Sequence, residues 1–241
     1  MDEPILSIEE RSAINGGSWF SSLSPSLRHD ILRCAYVKRY RDGELIAARG
    51  TPPEAWIACA RGALRVSSTS LTGKQITLTY IQPGAWLGDI AMLDGDELPH
   101  DNYAHGDTTT LCVARADFLR ILGQHTELNQ ALLRLQARRT RQLLGLVEDL
   151  NTLPLRARLA KQLLFLSRRY GIPSVAHGEG ETRIGLQLAQ EEIAQLLGAS
   201  RQRVNQELKA LEREQLIRIE PGGLVVRNRD SLLGVASAEA H

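Results

Sequence analysis

The apolar positions of this chain change period part-way along it. From Cys34 to Val113 they fall in short stretches of strand length, punctuated by Asp42-Gly43, Arg61-Gly62, Thr72-Gly73 and Pro83-Gly84. That spacing predicts a compact antiparallel β-structure, with strands at Tyr36 to Tyr40, Glu44 to Ala48, Trp56 to Ala60, Ala63 to Ser67, Gln75 to Ile81 and Thr108 to Val113, after a short helix at Ser24 to Arg33. Beyond Phe118 the spacing becomes three and four residues. Leu128, Leu132 and Leu135, then Leu143, Leu146, Val147 and Leu150, mark one face of a long helix. Leu153-Pro154 ends it, because the residue before a proline is driven out of the α region, and Pro154 suits the first position of a further helix through Leu166. Gly171 to Gly180, rich in Gly and Pro, reads as a connecting loop.

The pattern is most telling from Gln190 to Leu211. Ile193, Ala194 and Leu197 give a first helix its buried face, Gly198 supplies a left-handed residue to end it, and Ser200 can cap a second. In that second helix Val204, Leu208 and Leu211 turn inward. Ser200, Arg201, Gln202, Arg203, Asn205, Gln206 and Lys209 are left to face outward, side chains able to reach base edges and phosphates from a major groove. Two short apolar strands, Leu216 to Ile219 and Leu224 to Arg227, flank Glu220-Pro221-Gly222-Gly223, the turn chemistry of a hairpin. Together these predict a winged helix-turn-helix from about Thr182 onward. Ala189 breaks one local rule, standing where a capping Ser or Thr is expected.

Charge sharpens this division. The net charge is only +1, yet no Lys or Arg occurs from Gln75 to Ala114, while Arg138, Arg139, Arg141, Arg156, Arg158, Lys161 and Arg168 outnumber Glu148 and Asp149 between Arg134 and Arg169. The positive field that phosphates require therefore lies in the second half. Length allows two domains, expected as 1–127 for an N-terminal sensor, 128–153 for a dimerisation helix and hinge, and 154–241 for DNA binding. With an acidic start and no apolar run of bilayer length, the chain is expected to be cytoplasmic and to have no membrane partner. Cys34, Cys59 and Cys112 are scattered within apolar stretches, which predicts buried free thiols rather than a disulfide framework or a cluster site.

The β-rich front, the stretch Gln82-Pro83-Gly84-Ala85-Trp86-Leu87-Gly88-Asp89-Ile90-Ala91-Met92-Leu93, the long helix and Gly198-Ala199-Ser200-Arg201-Gln202-Arg203-Val204 resemble the Crp/Fnr regulators, from about Leu23 to Val226. The resemblance implies an α+β fold: an N-terminal antiparallel β-roll of the cyclic-nucleotide-binding type, a long dimerisation helix and a C-terminal winged helix-turn-helix. It also implies a homodimer, a two-fold symmetric operator on double-stranded DNA, and RNA polymerase as a further partner. On this reading the protein is not an enzyme.

The departures from the family pattern bear on the effector. Cyclic-AMP-binding members follow a Gly-Glu pair with an Arg-Ser pair that holds the cyclic phosphate; the corresponding residues here are Gly88 and Asp89, then His100 and Asp101. A carboxylate there would repel a phosphodiester, and Asp94, Asp96, Glu97 and Asp107 add to the repulsion. The polar pair that contacts adenine from the long helix corresponds to Leu143 and Leu144. Asp89 and Arg139 are what remains of a nucleotide site. The expectation is a regulator not controlled by cyclic AMP, with its effector either another small molecule or absent, and with no cofactor. The chain lacks the N-terminal cysteines of the oxygen-sensing branch, and His29, His100, His105, His125 and His177 show no spacing that points to a haem ligand.

Three other readings stay open at this point. The cluster Asp94, Asp96, Glu97, His100, Asp101, His105 and Asp107 has donors for a divalent metal, although a solvated acidic loop has the same composition and the site is expected to hold none. A ligand- or metal-responsive sensor acting through a protein partner would leave Glu191 to Val226 unexplained. An enzyme would rest on His100-Asp101 alone, without a second His/Asp set or a phosphate loop.

Overall fold

The computed structural model describes residues 5–70, 75–173 and 180–237. The chain divides into two compact units, Met1–Thr140 and Arg141–His241.

The first unit opens with α1 (Ile8–Gly16), a single 3-10 turn at Phe20–Ser22 and α2 (Pro25–Arg33). Both helices start where the sequence supplies a cap: Ser7 and Glu10 exchange hydrogen bonds with each other's backbone N–H, and Ser24 accepts from Leu27 N–H with Pro25 opening the first turn. The strands β1 (Ala35–Tyr40), β2 (Leu45–Ala47), β3 (Ala55–Thr69), β4 (Gln75–Ile81), β5 (Trp86–Leu87) and β6 (Asp101–Ala114) follow, with α3 (Asp89–Asp94) between the last two. They form one antiparallel sheet in the order β1-β6-β3-β4, with β2 on β6 and β5 on β3. Next come α4 (Arg115–Gln124) and the long α5 (Thr126–Thr152).

Residues of β3 alternate between two cores. Trp56, Ala58 and Ala60 join Trp19, Phe20, Trp86, Phe118, Leu128 and Leu132, whereas Ile57, Cys59 and Leu64 pack with Cys112. The first core is an aromatic nest: the Trp56 ring centroid lies 4.1 Å from Trp86, 5.2 Å from Phe118 and 5.5 Å from Trp19. Each such ring contributes about 1.5–3 kcal/mol through burial. Trp19 Nε1 also donates to the Ala131 carbonyl of α5 at 3.2 Å.

Several sequence expectations need correction here. The strands expected to break at Arg61-Gly62 are one strand, β3. Gly62 adopts φ +72° in a bulge, and β6 pairs with β3 on both sides of it. β6 itself begins at Asp101, not Thr108, because Gly106 at φ +68° bends the strand without ending it. Cys59 and Cys112 are buried thiols, but Cys34 is only half-buried, with Arg120 Nη2 2.8 Å from its sulfur. The expected Thr72-Gly73 turn lies outside the described residues.

The second unit holds the end of α5, then α6 (Leu155–Tyr170), β7 (Gly171–Pro173), β8 (Thr182–Ile184), α7 (Gln190–Leu196), α8 (Arg201–Arg213), β9 (Ile217–Glu220), β10 (Gly223–Val226) and α9 (Arg229–Ala236). Its antiparallel sheet runs β7-β8-β10-β9. Pro154 is the N-cap of α6, one position earlier than expected, and α6 continues past Leu166 to Tyr170. The expected loop from Gly171 begins as a strand, since β7 pairs with β8; residues 174–179, His177 among them, lie outside the described residues. The sequence pattern also missed α9, which is capped by the Asn228 side chain on Ser231 N–H and buries Leu232 and Ala236. Among the described residues, no helix is long and apolar enough to cross a membrane.

Candidate nucleic-acid interface

The two helices α7 and α8 form the turn that the sequence predicts, for local reasons that can be traced residue by residue. Gly198 takes φ +60°, which lets Ala199 N–H reach the Ala194 carbonyl and Gly198 N–H the Gln195 carbonyl, both at 3.0–3.1 Å. These are the paired bonds that close a helix C-terminus. Ser200 then accepts from Arg203 N–H at 3.4 Å and starts α8. At the head of α7 Ala189 offers no side-chain acceptor, but Glu192 reaches back to the Ala189 N–H at 2.8 Å. One half of a capping box thus remains where the other half is missing.

On α8, Val204, Leu208 and Leu211 are buried. Ser200, Arg201, Gln202, Arg203, Gln206 and Lys209 are exposed and lie on the opposite side; Asn205 is half-buried, with its Oδ1 sheltered and unpaired. The helix is fastened from behind. Arg156 of α6 places Nη2 2.5 Å from Glu214 and Nη1 3.8 Å from Glu207; Arg158 Nη1 donates to the Leu197 carbonyl at 2.9 Å; Glu212 accepts from Ile219 N–H at 2.8 Å.

The hairpin β9–β10 turns through Pro221 and Gly222, the latter at φ +71°, as a proline-glycine turn requires. Its charges are paired with one another and with those at β8. Glu181, nearly buried, takes Arg218 Nη1 at 2.9 Å and Arg227 Nε at 3.0 Å, while Glu220 takes Arg218 Nε at 3.0 Å and Arg183 Nε at 3.5 Å. Burial would raise the Glu181 carboxyl, but the two guanidiniums outweigh it and hold it below the usual carboxylate range.

Residues 157–235 match the family described as Crp-like helix-turn-helix domain, and residues 37–125 match the family described as Cyclic nucleotide-binding domain. The "Cyclic AMP receptor protein" of Thermus thermophilus is 30% identical over 224 residues, 92% of this chain and 98% of that protein. The chain belongs to the Crp/Fnr family. A second relative, the "CRP-like cAMP-activated global transcriptional regulator" of Mycobacterium tuberculosis, is 29% identical over 88% of this chain and 93% of its own length. Among solved structures, FixK2 from Bradyrhizobium japonicum has the same fold, with a TM-score of 0.74 at 22% identity, covering 86% of this chain and 99% of the other. The Crp/Fnr chain is thus a transcription regulator with a Crp-like helix-turn-helix, its partner is DNA, and its relatives are regulators, not enzymes.

The effector-pocket candidates divide into three places. Gly88, at φ +90°, is the N-cap of α3, and Asp89 behind it is fully buried. Both Asp89 oxygens lie within 2.7–2.9 Å of Arg139 Nη1, and Gln136 Nε2 donates to the same carboxylate; Arg139 Nη2 donates to the Trp86 carbonyl at 2.6 Å. At the start of β6, the Asp101 carboxylate accepts from Arg49 N–H at 2.8 Å. Burial, with the nearby Arg49 charge, lowers the His100 pKa below its ordinary value, against the opposing pull of Asp101. Leu143 and Leu144, in the second unit, are exposed on α5, at 62% and 65%.

Two side chains of the acidic stretch considered as a metal site have other partners. Asp94 caps Asp96 N–H at 3.0 Å, and the His105 ring packs edge-on against Tyr80 at 4.9 Å. Among the described residues, no group of three or more His, Cys, Asp or Glu side chains is gathered to hold a metal ion.

Proposed function

We propose that this regulator binds a two-fold symmetric operator as a homodimer through α8, and that it does so without cyclic AMP. The DNA reading rests on α8, where one helix buries Val204, Leu208 and Leu211 and turns Arg201, Gln202, Arg203, Gln206 and Lys209 to solvent. Arg201, at the helix start, suits a bidentate contact to guanine O6 and N7, while Gln202 and Gln206 suit adenine. Arg203, Lys209 and Ser200 are placed for phosphates, and Asn205 for a supporting contact.

Homodimerisation is supported by α5, which exposes Leu143, Leu144, Leu146, Val147 and Leu150 over two helical turns. Apolar side chains at this spacing form the seam of a two-stranded helical pair. Such a dimer would place two half-sites about 34 Å apart. A bound dimer would stand beside RNA polymerase as transcription partner.

Two relatives carry cyclic AMP in their names, but this chain's own residues differ at the positions such an effector would need. Independence from cyclic AMP is supported by Asp101 and His100: one is a carboxylate, and the other is an imidazole whose burial and nearby Arg49 charge disfavour the charged form. Neither supplies the cation a cyclic phosphate needs. Asp89 and Arg139 are already satisfied by each other, and Leu143 and Leu144 have no hydrogen bond to offer a purine.

Selection from a random DNA pool by the purified protein, with and without cyclic AMP, tests this. Enrichment of one palindrome in both arms is the expected result. Enrichment only with cyclic AMP would overturn the effector reading, and a non-palindromic or absent consensus would overturn the operator reading.

A further inference from the structure

Arg156 lies within the basic stretch that the sequence assigns to the phosphate-binding field, but its geometry says otherwise. Glu207 on α8 and Glu214, its C-cap, stand seven residues apart and therefore lie one above the other along one side of the helix. The Arg156 guanidinium reaches both, 3.8 Å from Glu207 and 2.5 Å from Glu214. Two residues further along α6, Arg158 holds the Leu197 carbonyl at the end of α7. The helix α6 thereby grips both helices of the motif, with one guanidinium arm hydrogen-bonded to Glu214 and the other within ion-pair distance of Glu207.

We infer that Arg156 is a positioning residue for operator discrimination: it sets how α8 presents Arg201, Gln202 and Gln206 while contributing no charge to the phosphates, since two carboxylates already neutralise it. This rests on the DNA reading above and deepens it. Base readout depends on side chains reaching base edges within hydrogen-bond distance, so a small rotation of α8 affects a correct operator more than a random duplex. Phosphate attraction is long-ranged and tolerates that rotation.

The test uses the full-length protein, with the duplex that it enriches from a random pool and a scrambled duplex of the same length, over a range of salt. Arg156→Lys preserves the charge and removes the second arm that faces Glu207. Its ratio of operator to scrambled affinity should fall about tenfold with the salt slope unchanged. A Lys variant with the wild-type ratio would overturn the proposal and leave the DNA reading standing; wild-type protein that prefers no duplex would remove both. Should thermal melting show that Arg156→Lys does not fold, Glu214→Gln reads the same quantity. Looser operator binding is expected from it, whereas tighter operator binding would mean that the freed Arg156 acts on phosphate and would reject the positioning role.

Discussion

Arg139 Nη1 lies 2.9 and 2.7 Å from the two oxygens of Asp89, a carboxylate with no solvent exposure, and so ties α5 to the start of α3. Removing the cation would leave a buried, unpaired charge. Arg139→Ala is expected to destabilise the first unit by roughly 3–5 kcal/mol, seen as an earlier urea midpoint in tryptophan fluorescence. That signal is specific, because all three tryptophans sit in the aromatic core of this unit. A midpoint unchanged within error would show that the pair contributes nothing.

Glu10, in the first turn of α1, is buried and accepts from Arg39 Nη1 at 3.0 Å. Burial raises its pKa, but hydrogen bonds from Ser7 N–H, Thr109 and Arg39, with the Arg39 charge, outweigh this and lower it to about 2 from an ordinary 4.5. A depressed folded-state pKa gives stability that is complete above pH 4.5 and is lost as pH falls toward 2. Glu10→Gln should therefore be less stable than wild type at pH 7, with the gap narrowing through that acid window. Parallel stability curves for the two proteins between pH 7 and pH 2.5 would contradict the assignment.

The exposed apolar residues of α5 give the dimer its own test. Val147→Glu places a charge within the proposed seam, where it would be desolvated in the dimer and free in water in the monomer. Sedimentation velocity should show wild-type dimers and a mutant shifted to monomer at the same concentration. A dimeric Val147→Glu protein would move the interface elsewhere.

Arg201 and Arg203 are neighbours with different proposed tasks. Arg201→Ala should cost about 1–3 kcal/mol on the operator and relax the consensus at one base position. Arg203→Gln should weaken every duplex alike and reduce the salt slope by about 1. Exchanged results would reverse the two roles.

The legible parts of this protein were those fixed by neighbours in sequence. Gly198, Ser200 and the spacing of Val204, Leu208 and Leu211 form a turn and a helix through bonds spanning at most five residues, so the pattern suffices. Arg61-Gly62 misled because a glycine at positive φ serves a turn and a bulge equally. The choice fell to β6, which pairs with β3 on both sides of it. Likewise α9 carries a weak pattern of its own, and its buried Leu232 and Ala236 acquire meaning only against the rest of the unit.

Periodicity, caps and glycines determined by themselves that a β-rich unit precedes a long helix and a winged helix-turn-helix, since these are local properties of the backbone. Tertiary structure alone decided that Arg139 answers Asp89, that Arg156 joins Glu207 and Glu214, and that Glu181 silences Arg218 and Arg227. A charge announces itself in the sequence, but its partner is chosen by proximity in space, and an arginine neutralised by a carboxylate 46 residues away cannot be told from a free one until the chain has folded.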